Sequence, residues 1–324
     1  MATKPNRSRQ LHPAWVAMLN ELEASNVPNV WELSVTEARI LNLKHTEQAY
    51  INVKPLPVYS VENREIPGVV GTIPVRIYNP REVDKDVPLP ILVFFHGGGW
   101  VFGNLDSYDI HCRYLCNQAD CIVVSVEYRL APEHKFPSAV EDAFAATQWV
   151  AANASTFGGD PKRIAVGGDS AGGTLSTVVA QLAKAKGGPK LIFQLLVYPT
   201  TCMVPKFPSR ETNGQGYLLT TDYIKWCNTH YLNSETDRLD HRASPALAED
   251  LRGLPPALII TAGFDPFVDE GEYYAEKLRV AGVEVEYTCY EDMIHGFICM
   301  PDVSEGADKA LAQSATSLRR AFTK

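Results

Sequence analysis

The chain has 324 residues, 45% hydrophobic and 21% charged, which suits one large or two smaller globular domains. Lys plus Arg is 30 against 38 Asp plus Glu, a net charge of −8 with no basic patch along the sequence, so no nucleic-acid partner is expected. No run of about 18 apolar residues occurs, and Lys4, Arg7 and Arg9 lead into no apolar stretch, so neither stable membrane insertion nor a secretory signal is expected.

The seven cysteines are Cys112, Cys116, Cys121, Cys202, Cys227, Cys289 and Cys299. Their odd number and the lack of a second pair at zinc-site spacing read as free thiols in a reducing cytoplasm, with no metal site. In chain order, residues 12–25 place Trp15, Met18, Leu19 and Leu22 at helical spacing, with Pro13 at a helix start. Residues 34–50 open on a capping box, Ser34 with Glu37 three residues on. These two amphipathic helices fit a lid, a homodimer surface or simple packing. A weakly alternating strand is expected over 69–78. The run ILVFF at 91–95 reads as a central strand covered on both faces. A helix over 108–119, a buried strand over 121–126, a proline-bearing loop over 127–137 and a helix over 138–153 follow, then a turn at 158–161. Strand, helix, strand, helix is the rhythm of a parallel sheet. Beyond a strand over 190–198, residues 199–243 hold little β signal and one helix, 220–231, so they look like an insertion over one end of the sheet. A strand over 256–261, a helix over 269–281, a strand over 283–290 and a final helix over 304–322 complete the chain.

Chemistry concentrates around Ile-Ala-Val-Gly-Gly-Asp-Ser-Ala-Gly-Gly-Thr at 164–174. A serine, Ser170, between glycines at −2 and +2, with a strand before and a helix after, is the pattern of a nucleophile elbow. The glycines are needed because side chains there collide in the sharp turn that lifts the hydroxyl above the sheet edge. A serine hydroxyl is weak without a base, and histidine, with an ordinary pKa near neutrality, is the efficient choice. Of eight histidines, His295 stands just beyond the last strand, with Gly296 giving room to turn; His12, His45, His111, His230 and His241 read as helix or surface histidines. Asp265, directly after the 256–261 strand, is the acid that reaches the same sheet edge, and Asp269 and Glu270 are its rivals at a helix start, where carboxylates favour the amide end anyway. The chain order Ser, Asp, His is that of α/β-hydrolases. His96-Gly97-Gly98-Gly99 after the 91–95 strand exposes amides that can face a developing oxyanion; Gly98, Gly99 and Ala171 are the expected donors. His96 reads as an anchor of that loop. Arg129 and Glu133 read as a pair that stiffens the 127–137 loop.

Five segments together carry a family resemblance: HGGGW at 96–100, EYRLAPEHKFPSAVED at 127–142, GDSAGG at 168–173, DPFVDEG at 265–271 and HGF at 295–297. In order and spacing the chain resembles the hormone-sensitive-lipase-like branch of the α/β-hydrolases, the bacterial family IV carboxylesterases. The resemblance implies an α/β-hydrolase fold: a mostly parallel central sheet, helices on both faces and a helical cap. It implies Ser170 as nucleophile, Asp265 as acid, His295 as base, and the Gly98, Gly99 and Ala171 amides as oxyanion hole, acting without a cofactor on short- to medium-chain acyl esters. It also implies a division into residues 1–55 as the N-terminal part of the cap, 56–199 as the first part of the core, 200–243 as the cap insertion and 244–324 as the second part of the core. Trp100 stands where the family often has phenylalanine. An amidase or aryl-formamidase with the same three residues is the alternative; a non-catalytic small-molecule receptor on this scaffold fits poorly with all three present.

Overall fold

The computed structural model describes residues 10–25, 27–84, 86–204 and 207–324. In chain order the elements are α1 (Pro13–Ala24), α2 (Val35–Ala49), β1 (Ser60–Pro67), β2 (Thr72–Asn79), β3 (Leu89–Phe95), α3 (Asp109–Ala119), β4 (Ile122–Val126), α4 (Ser138–Asn153), β5 (Gly159–Asp169), α5 (Ala171–Lys186), β6 (Phe193–Val197), α6 (Ser209–Thr212), α7 (Thr221–Tyr231), β7 (Ala257–Phe264), α8 (Val268–Val280), β8 (Val285–Ile294) and α9 (Glu305–Thr323). The strands form one eight-stranded sheet in the order β1-β2-β4-β3-β5-β6-β7-β8. From β4 to β8 every pairing is parallel, while β1 and β2 join antiparallel.

The central strands are apolar on both sides because both faces are covered. Every residue of β3 is buried. Ile91, Val93 and Phe95 enter one core with side chains of α4, α5 and α8, among them Val140, Leu175 and Tyr274. Leu92 and Phe94 enter a second core with α3 and α9, through Leu115, Leu311 and Leu318. Alternation along a strand thus feeds two layers, which is the physical basis of a three-layer α/β/α domain.

The chain leaves β3 for β4 on one side and then crosses back to β5 on the other, with Phe95 level with Gly168. This reversal opens a crevice at the carboxyl ends of β3 and β5, where open parallel sheets hold ligands. The HGGG loop leaves β3 at this crevice, and Ser170 leaves β5.

Four local expectations differ from the structure. Strand β1 was not expected: seven of its eight residues, all but Ile66, are at least partly exposed, so an antiparallel edge strand leaves almost no apolar signal. The strand expected from residue 69 begins at Thr72, because Gly68 N–H bonds to Gly71 O (2.9 Å) in a turn that exposes Val69 and Val70. The turn expected at 158–161 is partly strand, since Gly159 pairs with Leu89 as β5 begins. Strand β8 runs on to Ile294, which delivers His295 directly from the sheet edge.

Helix α1 packs through Trp15, fully buried, whose indole N–H reaches Met293 Sδ at 3.0 Å. Helix α2 is tied to the residue after HGGGW and to the 127–137 loop: Arg39 donates to Val101 O and Ala131 O, each at 2.9 Å. The 200–243 segment, whose Pro205 and Lys206 lie outside the described residues, carries α6 and α7. Asn213 Nδ2 donates to Gly263 O (3.2 Å) and Asp265 O (3.0 Å), so this segment rests on the loop after β7.

Candidate active site

Ser170 has φ 51° and ψ −118°, a backbone region that side chains rarely occupy. Its N–H donates to Val197 O at 2.8 Å. A Cβ at Gly168 or at Gly172 would collide with the Phe95 carbonyl oxygen, so hydrogen is the only substituent that lets β5, the turn and α5 approach β3 this closely. The strain at Ser170, of order 1–3 kcal/mol, is imposed by these packed neighbours.

Three side chains from three strand ends meet here. His295 Nε2 lies 3.0 Å from Ser170 Oγ, and His295 Nδ1 lies 2.7 Å from Asp265 Oδ2. Asp265 is fully buried and its second oxygen accepts the Phe267 N–H at 2.7 Å. With Nδ1–H donating to the carboxylate, Nε2 is left to accept the Ser170 hydroxyl proton. Gly296, at φ 80°, makes the turn that returns the imidazole over the sheet. The ring sits between Tyr198 and Phe267, with centroids at 4.5 and 5.2 Å.

The rival carboxylates are engaged elsewhere. Asp269 accepts the Ser209 N–H at 2.8 Å. Glu270 is fully buried and takes Arg210 Nη2 at 2.6 Å and Thr201 N–H at 2.9 Å; burial pushes its carboxyl above the ordinary range, against the pull of Arg210. Both therefore tie α8 to the 200–243 segment.

On the other side of Ser170 the HGGG loop folds back on itself. Gly98 O accepts Val101 N–H (3.0 Å) and Phe102 N–H (2.9 Å), with Gly98 at φ 112° and Gly99 at φ 58°. The Gly98 and Gly99 amides find no backbone or side-chain acceptor among the described residues. The Ala171 amide is the first of α5 and has no partner within the helix. These three amides are therefore left without a protein acceptor among the described residues. His96 is fully buried, stacked on Tyr128 at 4.3 Å, with Nδ1 2.7 Å from Gly97 O; burial lowers its pKa to about 4, so it stays neutral. Tyr128 O–H donates to His96 O at 2.7 Å, which locks the loop from beneath.

The expected Arg129–Glu133 pair does not form. Arg129 grips the buried Asp142 through Nε and Nη2, both at 2.8 Å, while Glu133 receives Arg39 from α2 at 2.7 Å. Glu133 consequently sits well below the ordinary carboxyl range, at about 2, chiefly through that hydrogen bond. His111, expected at a solvated position, is buried with Nε2 3.0 Å from Ile298 O.

Sequence reasoning missed the cap contacts. Trp100 stacks on Tyr231 of α7 (4.3 Å, 6° between planes), and Phe102 stacks on Trp226 (5.6 Å, 15°). Tyr223, Trp226 and Tyr231, three and five residues apart on the 220–231 helix, were the available signal. Among the described residues no His, Cys, Asp and Glu cluster could hold a metal, no helix is long and apolar enough to cross a membrane, and Cys112, Cys116, Cys121, Cys227 and Cys299 are free thiols.

The family model for the alpha/beta hydrolase fold matches residues 92–299. LipN of Mycobacterium tuberculosis, a carboxylic ester hydrolase, is 44% identical over 306 residues, covering 92% of this chain and 80% of its own. The carboxylesterase NlhH of the same species is 43% identical over 296 residues, 90% of each chain. Among solved structures, an ester hydrolase from the Lake Arreo metagenome superposes with a TM-score of 0.93 at 37% identity, covering 97% of this chain and 100% of that one.

Proposed function

Since the chain belongs to the alpha/beta-hydrolase fold family, in its hormone-sensitive-lipase-like branch, and is a carboxylic ester hydrolase, we propose that Ser170, His295 and Asp265 are its catalytic triad. The observation that carries this reading is the unbroken chain from Ser170 Oγ to His295 Nε2 (3.0 Å) and from Nδ1 to Asp265 (2.7 Å).

In this reading His295 takes the Ser170 proton as the oxygen attacks the ester carbonyl. The tetrahedral oxyanion sits on the Gly98, Gly99 and Ala171 amides, each donor contributing about 3 kcal/mol to the barrier reduction. Asp265 holds the imidazole in the right tautomer and stabilises the imidazolium, which then protonates the leaving alcohol. Water repeats the sequence on the acyl-enzyme. No cofactor enters any step.

The preferred substrates in this reading carry acyl chains of about C4 to C8. The aromatic stacks of α7 and the bond from Arg39 of α2 to Val101, just after HGGGW, support a slot of finite depth beneath the cap. Each methylene that fits gains about 0.8 kcal/mol, and each that does not costs overpacking.

The test compares S170A, H295A and D265N on p-nitrophenyl esters from acetate to palmitate, with anilides alongside. Each substitution is expected to lower kcat by about 10⁴-fold or more. Near-normal turnover in purified S170A overturns the triad. Rates that rise steadily to C16, or that favour anilides, overturn the substrate class.

A further inference from the structure

Asp169, the residue before Ser170, is 5% exposed and has no part in the chain of proton transfers described above. Its carboxylate instead faces the HGGG loop. Oδ1 accepts the Gly97 N–H at 2.8 Å, and Oδ2 accepts the Tyr108 O–H at 3.0 Å, with Cys299 Sγ at 4.0 Å. A side chain at Gly97 would collide with Oδ2, so the loop and the carboxylate are built to touch. Beside them lies a cavity of about 20 Å³, lined by Phe94, Leu195 and Leu311 together with Tyr108, His111 and Asp169 itself. The Asp169 carboxylate is thus held by two protein donors, the Gly97 N–H and the Tyr108 O–H.

The geometry points to ionised Asp169 as a positioning residue for the oxyanion hole: through Gly97 N–H it sets the placement of the Gly98 and Gly99 amides relative to Ser170, and its charge faces the imidazolium that His295 becomes. This inference rests on the triad reading.

The groups around Asp169 leave few alternatives for the charge. Tyr50 from the end of α2, Tyr108 ahead of α3, Tyr128 after β4, Tyr198 after β6 and Cys299 after β8 all feel it, and burial drives each of these phenols and the thiol upward, so all are neutral at working pH. His295 is the partner in this cluster that changes charge during the proposed reaction, and its imidazolium pulls the Asp169 pKa down. Burial outweighs that pull and the hydrogen bonds together, and lifts the Asp169 carboxyl to about 6. Asp169 thus takes up a proton just below neutrality, and the neutral acid is a weaker acceptor for Gly97.

The experiment measures kcat and kcat/KM of the full chain for p-nitrophenyl butyrate from pH 4.5 to 8.5, in the wild type, D169N and Y108F, with S170A as a control. In the wild type protonation of the base stops the reaction and protonation of Asp169 slows what remains, so log kcat/KM falls with a slope steeper than 1 around and just below the Asp169 ionisation. D169N keeps side-chain volume and a neutral acceptor for Gly97. It is expected to show a slope of 1, a kcat at pH 8 lowered about 10- to 100-fold, below the effect of deleting an oxyanion donor, and a KM within about threefold. Y108F removes a bond that favours the charged form, so its second ionisation moves to higher pH. Stoichiometric labelling of D169N by a p-nitrophenyl phosphonate confirms that the variant is folded. A slope that is the same in wild type and D169N, or a loss confined to KM, overturns the role of Asp169 while an inactive S170A leaves the triad standing. An active S170A overturns both.

Discussion

Arg210→Met tests how the cap segment is held to the core. Arg210 places Nε (2.9 Å) and Nη2 (2.6 Å) on Glu270 Oε2, and its guanidinium lies 4.3 Å above the Phe267 ring, which itself packs on His295. Methionine preserves much of the volume and removes the charge. Glu270, fully buried on α8, is then left with only the Thr201 and Cys202 amides. Removing one partner of a buried pair costs about 3–5 kcal/mol, because the remaining charge has neither water nor counter-ion. At about 2.1 cal/mol/K per residue, the unfolding entropy of 324 residues is about 0.7 kcal/mol/K, so Tm should fall by roughly 4–7 °C. The loss must also depend on pH. Burial already raises the Glu270 carboxyl, and without Arg210 it rises further. A carboxyl raised in the folded state favours folding below its unfolded pKa, and that advantage disappears as pH climbs through the folded value. The deficit of R210M relative to wild type is therefore largest at pH 8 and narrows toward pH 5. The double substitution R210M/E270Q should recover most of the stability. Calorimetry at pH 5 and 8 decides the matter: a Tm within about 1 °C of wild type, or a drop equal at both pH values, refutes the reasoning.

Other outcomes follow from the same structure. D169N should be more stable than wild type at pH 8 by up to about 3 kcal/mol, since a carboxyl lifted from 3.8 to about 6 opposes folding once ionised; the gain should fade below pH 4, as denaturant titrations at the two pH values will show. G172A forces a methyl against the Phe95 carbonyl, and overpacking there should cost about 1–3 kcal/mol together with most of the activity, read as Tm and kcat/KM on one preparation. R39A loses two bonds to loop carbonyls and the Glu133 pair; a loss of about 1–3 kcal/mol is expected in urea unfolding, and an unchanged midpoint counts against the clasp. W226A removes the Phe102 stack and should shift the acyl-chain optimum measured on the p-nitrophenyl panel, with little effect on labelling of Ser170 by a phosphonate.

By itself the sequence determined whatever depends on short stretches of chain. Residues 91–95 are apolar without interruption because both faces of β3 are covered, and that pattern survives in one dimension. The glycines around Ser170 are legible for the same reason: the turn that needs them is five residues long, although what they avoid, the Phe95 carbonyl, lies more than seventy residues away. Strand β1 left no such trace, because an edge strand with one fully buried side chain reads like a polar loop. Charged side chains were the hardest to place. Glu133 and Arg129 are four apart, yet Arg39 from α2 takes the first and Asp142 from α4 takes the second. Asp265, Asp269 and Glu270 stand within six residues, and only the fold turns one toward His295 and the other two toward the 200–243 segment. Long side chains choose among all the groups that tertiary packing brings within about 3 Å, and in water or along the chain those groups are energetically alike. Burial makes the choice decisive, because a charge removed from water must find its partner among the few dipoles that the packed layers have already set in place.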